Sequence, residues 1–198
     1  MFEIFPSPFQ ISILEAVQEK DAEFLTAILT DEEIIKKVDL NHIYEENGDT
    51  LLHSAIECEN LEAVRILVAS GANCSKLNNA KFAPLHVAAR KGQIGTMQIL
   101  MGSGKADVNS TTTEKGETIL HILARKANKS TINYNIYIEC LKYALRSPKA
   151  NVDATEKTAS MTPLFIATDE SKSREAAIAL IKAGMNIISL FLWHEPLP

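Results

Sequence analysis

The chain has 198 residues, of which 46% are hydrophobic, 23% are charged and 6% are aromatic. This apolar share is sufficient for a continuous core, so the length fits either one large domain or one array of repeats. The 25 acidic and 20 basic residues give a net charge of −5. Because nucleic-acid binding depends on neutralising phosphates, an acidic chain without a basic cluster is not expected to bind nucleic acid.

The cysteines and the apolar segments argue against several classes of protein: disulfide-bonded, zinc-binding, secreted and membrane-spanning. Cys58, Cys74 and Cys140 are odd in number and form no CxxC pair, which predicts free thiols in a reducing compartment and no zinc site. The first residues lack the basic region and long apolar run of a signal peptide. No apolar run approaches the roughly 18 residues that span a membrane. We therefore expect a cytoplasmic location, no membrane-spanning segment, no metal and no cofactor.

The first 46 residues are predicted to contain an extension and one pair of helices. Pro6 and Pro8 disfavour a helix, so residues 1–10 are expected to be an N-terminal extension that is either an extended segment over the first repeat or a disordered tail. Residues 11–46 show apolar side chains at helical spacing. The side chains expected to face inward are Ile13, Leu14, Ala16 and Val17 in the first helix and Phe24, Leu25, Ile28 and Leu29 in the second.

Residues 47–79 and 80–114 carry clearer signals for the same helix-turn-helix unit. Asn47-Gly48 predicts a tight turn, and Thr50 is suited to cap the helix that follows. Gly102-Ser103-Gly104-Lys105 is interpreted as a helix end, since the GxxxxGK[ST] pattern of a phosphate loop is missing. The apolar stripes predicted for 47–79 are Leu52, Ala55 and Ile56, then Leu61, Val64, Leu67 and Val68.

The last two units, 115–158 and 159–188, depart from the regular length. About nine extra, mostly polar residues lie within 126–135, and such insertions usually form surface loops. This insertion is either a solvated loop or a contact for a partner. Residues 189–198 form an apolar tail that contains Leu190 to Trp193. The tail either folds back over the last unit or meets a further repeat or partner.

One short motif recurs through these units and sets their period. Ala83-Pro84-Leu85-His86-Val87-Ala88-Ala89 has near-copies that begin at Thr50, Thr118 and Thr162, and His53, His86 and His121 are 33 and 35 residues apart. A period near 33 residues with a T-P-L-H-x-A core resembles ankyrin repeats. The resemblance covers about residues 11–188. It implies an all-α repeat solenoid, the ankyrin-repeat solenoid, of about five helix-turn-helix units with hairpin loops.

The resemblance assigns a structural role to the motif residues. Threonine is expected to cap each first helix, and histidine to hydrogen-bond the capping residue and the loop backbone. These structural positions are Thr50, His53, Pro84, His86, Thr118, His121, Thr162 and Pro163. Ala83 and Phe165 replace the consensus threonine and histidine, so the array is expected to be weakest toward its end.

No catalytic pattern accompanies the repeats, which predicts a non-enzymatic module that binds a protein partner. Stacked ankyrin repeats expose a concave face made of hairpin tips and first helices. The candidate partner-binding residues on that face are Glu46, Asn47, Glu57, Lys81, Phe82, Arg90, Glu114, Lys115 and Arg125. Phe82 is the most probable anchor among them, because aromatic residues and arginine dominate binding hot spots.

The family resemblance leaves more than one biological setting open. The insertion and the A-N-V-D and A-D-V-N loops resemble the N-terminal ankyrin region of insect ankyrin-type transient receptor potential channels, the painless-like group. That resemblance implies tethering to a channel membrane domain. Short inhibitor-of-NF-κB-like regulatory proteins are similar in size and repeat number. A scaffold that assembles with itself is a third alternative.

Overall fold

The computed structural model describes residues 8–44, 47–112 and 114–185. In this part of the chain there is no strand, only an isolated antiparallel bridge between Ile43 and Thr50. The helices are α1 (Pro8–Glu19), α2 (Ala22–Thr30), α3 (Glu32–Ile35), α4 (Leu51–Glu57), α5 (Leu61–Ala69), α6 (Pro84–Lys91), α7 (Ile94–Gly102), α8 (Ile119–Lys126), α9 (Tyr134–Ala144), α10 (Pro163–Phe165) and α11 (Arg174–Lys182). A π-helical turn, Ile166–Glu170, continues α10.

The helices pack as stacked pairs. Helix α4 contacts α5 within one pair, whereas α1 contacts α4 and α2 contacts α5 between pairs. Further along, α8 contacts α9 and α10, and α9 contacts α11. First helices therefore pack on first helices and second helices on second helices, which confirms the all-α repeat architecture.

The chain divides into two compact units. The first comprises the described residues up to 87 together with 95–106, and the second comprises 88–94 together with the described residues from 107 onward. Each unit has its own apolar core. Fully buried side chains of the first unit include Ile13, Leu25, Leu51, Leu52, Ile56 and Leu67, and those of the second include Ile119, Leu120, Leu123, Leu141, Leu164 and Leu180.

The N-terminal helix begins earlier than expected. Helix α1 starts at Pro8, so the extended or disordered extension predicted for residues 1–10 is wrong for the last three of them. Proline is tolerated in the first turn of a helix, where its missing N–H has no intrahelical partner to lose. The rest of the predicted extension lies outside the described residues.

Two apolar residues predicted to face inward are partly exposed. Phe24 is 38% exposed and Leu61 is 42% exposed. Phe24 is one position away from the buried Leu25, which rotates it by about 100° around the helix. Leu61 approaches Gly95, which has no side chain to cover it. The other predicted residues of these two stripes in α2 and α5 are buried.

The insertion of the fourth repeat is shorter than predicted and is bonded to the fifth repeat. Lys126 ends α8 and Tyr134 begins α9, so the irregular segment covers only 127–133. The Tyr134 hydroxyl donates to the Glu175 carboxylate in the first turn of α11. Lys129 forms an ion pair with Glu175 at 3.6 Å. The segment and the start of α9 therefore both contact Glu175 within the second unit.

The first helix of the fifth repeat widens into a π turn, which the sequence reading did not predict. The Ser171 N–H donates to the Ile166 C=O, five residues back, over 2.9 Å. The Thr168 hydroxyl donates to the Leu164 C=O over 3.0 Å, and the Ser171 hydroxyl donates to the Ala167 C=O over 3.2 Å. These side chains compete with the regular helical hydrogen bonds and so favour the wider turn.

The apolar tail predicted for 189–198 lies outside the described residues. Among the helices that the structure does describe, none has both the length and the apolar character needed to cross a membrane.

Candidate functional site

The repeated histidines join each helix start to the loop of the following repeat. His53 Nε2 lies 3.1 Å from the Phe82 carbonyl oxygen. A carbonyl can only accept, so Nε2 carries the proton and Nδ1 is an acceptor. Nδ1 accepts from the Thr50 N–H over 3.3 Å and from the Thr50 hydroxyl over 3.0 Å. The buried His53 side chain thus joins the start of α4 at Thr50 to the backbone of Phe82 in the following repeat.

The same geometry recurs in the second unit. His121 Nδ1 accepts from the Thr118 N–H over 3.1 Å and from the Thr118 hydroxyl over 2.9 Å. Its Nε2 donates to the Met161 C=O over 3.1 Å. His53 and His121 are both fully buried, and these contacts support the structural role predicted for them.

The imperfect copies of the motif keep only part of this arrangement. The Ala83 N–H donates to His86 Nδ1 over 3.1 Å, but alanine supplies no hydroxyl. In the fifth repeat, where Phe165 replaces histidine, the Thr162 hydroxyl accepts from the Phe165 N–H over 3.3 Å. Thr162 therefore caps its helix through the Phe165 N–H, whereas Thr50 and Thr118 form capping boxes with His53 and His121, to which their hydroxyls also donate.

Burial keeps His53 and His121 neutral. Desolvation lowers the pKa of His53 and of His121, and the hydrogen bonds to the Phe82 and Met161 carbonyls oppose that shift only in part. The unfolded chain therefore binds protons more readily than the folded chain below the ordinary histidine pKa of about 6.5. Folding stability is complete above that pH and is lost as the pH falls toward the folded pKa.

We expect a measurable loss of stability in mildly acidic solution. Between about pH 7.5 and about pH 5.5, each of these histidines should remove up to about 1.4 kcal/mol from the free energy of unfolding. Urea denaturation at the two pH values measures this loss. The variant His121→Asn lacks one of the two titrating histidines, so its free energy of unfolding should fall by about half as much between the two pH values. A free energy of unfolding that stays constant over this range would contradict the prediction.

The hairpin tips, which hold several candidate binding residues, are bonded through their backbones. The Asn79 N–H donates to the Asn47 C=O over 2.8 Å in the first unit. The Lys157 N–H donates to the Lys115 C=O over 2.7 Å in the second. Asn47 and Lys115 occupy equivalent positions, each directly before a glycine with positive φ. Their backbones belong to the fold, and both residues are exposed.

Asp49 organises the first of these tips. It is 5% exposed and accepts from Asn47 Nδ2 and Asn78 Nδ2, each over 2.8 Å. Asn47 Oδ1 in turn accepts from the Asp49 N–H over 2.9 Å. The Asn47 side chain is therefore engaged within the tip, which makes Asn47 a positioning residue there.

Phe82 is half-buried at its hairpin tip. Its N–H donates to Asn78 Oδ1 over 3.0 Å, and its ring lies edge-on to the His86 ring at a centroid distance of 6.2 Å. The neighbouring Lys81 is exposed and has a φ of 61°. An aromatic ring held by a fixed backbone beside an exposed cation is suited to anchor a partner.

Arg125 has intramolecular partners that the sequence did not indicate. It bonds Glu117 at 2.9 Å and also pairs with Glu170, while its side chain is 36% exposed. Glu117 is buried, and a buried carboxylate requires such a partner. This arrangement makes Arg125 first of all a bridge between α8 and the π turn.

The remaining candidates are placed as follows. Glu57 ends α4 and is exposed, as is Arg90 in the last turn of α6. The Arg90 C=O accepts from the Tyr137 hydroxyl over 3.1 Å. Glu114 is exposed in its hairpin, whereas Glu46 lies outside the described residues.

Asparagine side chains connect successive loops at other positions, which sequence reasoning missed. Asn41 Oδ1 accepts from the Asn73 N–H over 2.8 Å, and Asn109 Oδ1 accepts from the Asn151 N–H over 2.7 Å. Asn109 Nδ2 also donates to the Lys149 C=O over 2.7 Å. The recurring asparagine after Leu40 and Val108 was the signal that could have revealed these bonds.

Glu156 is a buried carboxylate that serves its own loop. Burial raises its pKa, but donation from the Thr158 hydroxyl and from the N–H groups of Thr158, Ala159 and Met161 outweighs burial and lowers the pKa to about 2. Glu156 is 2% exposed. Glu156 therefore stabilises the loop that supplies the Met161 carbonyl to His121.

Residues 13–112 match the family model for ankyrin repeats, with three copies of the repeat. The chain belongs to the ankyrin-repeat family, and the resemblance stated from the motifs is confirmed. Ankyrin repeats form protein-interaction modules, which are typically non-enzymatic, and the repeats of this chain indicate a protein-interaction module.

Three relatives show where similar repeats occur. The chain is 31% identical over 144 residues to the E3 ubiquitin-protein ligase KEG of Arabidopsis thaliana, covering 72% of this chain and 8% of that protein. It is 31% identical over 115 residues to the transient receptor potential cation channel subfamily A member 1 of Homo sapiens, covering 58% of this chain and 10% of that protein. It is 28% identical over 146 residues to the transient receptor potential cation channel subfamily V member 1 of Canis lupus familiaris, covering 63% of this chain and 17% of that protein.

The chain thus spans less than a fifth of the length of each of these relatives. The resemblance to ankyrin regions of transient receptor potential channels is confirmed as a similarity of the repeats. Because an E3 ligase and two channels share them, the repeats alone do not specify the activity of a whole protein.

Proposed function

We propose that this interaction module binds protein partners through its hairpin tips and first-helix ends. The observation that carries the proposal is that backbone groups of these tips bond neighbouring repeats, whereas several of their side chains are exposed. Backbone groups of Asn47, Phe82 and Lys115 hold the repeats together, while the Lys81, Glu114 and Lys115 side chains are exposed. A rigid backbone that presents exposed side chains lowers the entropy lost on binding.

The chemistry of these tips favours a partner with apolar groups and charges of both signs, since Glu57 and Glu114 are exposed as well. Lys81, Arg90 and Lys115 are exposed cations, and Phe82 adds a half-buried ring. Arg125 contributes less than the sequence indicated, since it pairs with Glu117 and Glu170. We place Phe82 and Arg90 at the centre of the proposal because aromatic and arginine side chains dominate hot spots.

Affinity capture with the double variant Phe82→Ala, Arg90→Ala tests this surface. Each variant at a true hot spot should weaken binding by about 2 kcal/mol or more, about 30-fold. The matched control is Arg65→Ala, Tyr143→Ala, which removes one arginine and one half-buried aromatic residue from the second helices α5 and α9. Partners retained by the first variant and lost by the control would overturn the proposed surface.

We further propose that the module is the cytoplasmic ankyrin region of an ankyrin-type transient receptor potential cation channel. The similarity to the human subfamily A channel over 115 residues supports this setting. Reading the transcript beyond the codon for Pro198 tests it, and an open frame that continues into membrane-spanning segments is expected. A stop codon at that point in every transcript would contradict the channel setting and favour the inhibitor-of-NF-κB-like alternative.

A further inference from the structure

The irregular segment between α8 and α9 presents an isoleucine that is completely exposed. Ile132 is 103% exposed, whereas the other large apolar side chains of the described residues are at most 47% exposed. Ile136, the third residue of α9, is 45% exposed. Its other side lies over Gly92, where an added Cβ would be 3.1 Å from Ile136 Cγ2. A single exposed apolar side chain is normal on a protein surface, so the surroundings of Ile132 decide whether it has a role.

The start of α9 makes no use of Ile132. This residue directly precedes Asn133, the N-cap of the helix. An apolar residue in that place commonly packs on the fourth helical residue, which is Tyr137 here. The full exposure of Ile132 leaves it without such a contact, and the Tyr137 hydroxyl donates instead to the Arg90 C=O over 3.1 Å. Ile132 therefore contributes no packing to the helix that follows it.

The start of α9 also lacks the cap that equivalent helices have. The side chains of Asp21, Asn60 and Ser173 each accept from a backbone N–H in the first turn of α2, α5 and α11. Asn133 forms no such side-chain bond, and a missing cap destabilises a helix start. Departures from local structural rules without a compensating contact are typical of functional segments.

The segment nevertheless has a defined conformation. The N–H and the hydroxyl of Thr131 both donate to the Asn128 C=O, over 2.9 and 2.6 Å. Asn128 Oδ1 accepts from the Ser130 N–H over 2.9 Å, and the Tyr134 N–H donates to the Thr131 C=O over 3.2 Å. The backbone around Ile132 is therefore bonded on both sides, and a preformed loop loses less entropy on binding a partner.

The charges around Ile132 indicate the chemistry of that partner. Residues 126–136 contain two lysines and no carboxylate, although the whole chain has a net charge of −5. Lys126 is exposed, and the Lys129 side chain is 57% exposed. Glu175 pairs with Lys129 at 3.6 Å, which offsets one of the two charges and leaves the surroundings of Ile132 positive. Carboxylates on a partner would complement this charge.

We propose that Lys126, Lys129, Ile132 and Ile136, here called the insertion surface, bind a protein segment in which carboxylates flank an apolar side chain. The insertion surface uses none of the side chains proposed for binding at the hairpin tips, so the two proposals can fail separately. Two lysines and one completely exposed apolar side chain are fewer than stable attachment to a membrane requires. The acidic chain as a whole also disfavours an anionic membrane.

Selection of a random peptide library displayed on phage against the full chain tests the insertion surface. We expect enriched peptides in which Asp or Glu lies beside an apolar residue. Ile132→Ser should weaken the binding of these peptides about ten-fold or more. Lys126→Gln, Lys129→Gln should weaken it several-fold at low salt and less at high salt, because salt screens interactions between exposed charges.

Matched controls change the same residue types elsewhere. Ile11→Ser removes an isoleucine of α1 that is 45% exposed. Lys142→Gln, Lys182→Gln removes two exposed lysines of α9 and α11. Both controls should leave the affinity for the peptides unchanged. Because Ile132 makes no packing contact, circular dichroism should show the same helical content in Ile132→Ser as in the unaltered chain.

The remaining outcomes each contradict the proposal. A selection in which no enriched peptide depends on Ile132 would overturn it, including one whose peptides depend on Phe82 and Arg90 alone and so support only the hairpin tips. Sedimentation with phosphatidylserine vesicles that Ile132→Ser abolishes would assign the insertion surface to lipid. A molar mass in light scattering that rises with concentration, but not in Ile132→Ser, would assign it to a second copy of the chain.

Discussion

Replacement of His121 by leucine should lower the free energy of unfolding by about 2 to 4 kcal/mol, because it leaves the buried Thr118 N–H without a partner and removes the bonds of the imidazole to the Thr118 hydroxyl and to the Met161 C=O, which keeps only the Glu156 N–H as a donor. Each orphaned buried group costs about 1 to 3 kcal/mol. The imidazole bonds these groups at 2.9 to 3.1 Å. Urea denaturation near neutral pH measures the change, and the loss would be a large part of the stability of a domain of this size.

A second substitution separates the two roles of this histidine. In His121→Asn the amide oxygen can still accept from the Thr118 N–H, but the side chain is too short to reach the Met161 C=O. We expect a loss of about 1 to 2 kcal/mol for the broken connection to the next repeat. If His121→Asn and His121→Leu were equally destabilised, the contact with the Thr118 N–H would contribute nothing, contrary to the geometry. If neither lost stability, the structural role would be wrong.

The motif residues explain why the architecture could be predicted from the sequence. Thr118 and His121 are separated by one helical turn, and the bond from His121 to Met161 requires the next repeat to follow in a fixed register. Local spacing and long-range stacking are therefore encoded by the same side chain. Glycine and asparagine at the turns add backbone constraints that are equally local.

The features that were missed depend on contacts that are distant in sequence. Arg125 resembles an exposed helix-end cation until Glu117 and Glu170 are brought beside it. Tyr134 resembles part of a solvated insertion until Glu175 meets it. The π turn arises from the Thr168 and Ser171 hydroxyl groups competing with the backbone. None of these outcomes has a periodic signal.

The candidate binding residues stay a prediction for a related physical reason. Exposure and charge identify which side chains a partner could reach, but the binding free energy depends on the shape complementarity of that partner and on the exclusion of water from the contact. Phe82 combines a fixed backbone with a half-buried ring. Arg125 shows the opposite case, in which intramolecular pairing already uses much of the side chain.

Gly48→Ala is expected to destabilise the first unit by about 3 kcal/mol, since it combines backbone strain with a steric clash. Gly48 has a φ of 79°, and a Cβ there would lie 2.7 Å from the Asn79 backbone nitrogen and 2.5 Å from Asn79 Oδ1. That nitrogen donates the 2.8 Å hydrogen bond to Asn47. The clash can be relieved only by moving the two hairpin tips apart, which weakens the bond between them.

Gly71→Ala is the matched control for this clash. Gly71 has a φ of 97°, but a Cβ added there meets no atom within 4 Å. It should therefore cost only the left-handed backbone penalty of about 1 to 2 kcal/mol. The difference between the two variants, measured by urea denaturation, isolates the close approach of successive hairpin tips. Equal losses would mean that Gly48 is needed for its φ alone and that the tips have room to separate.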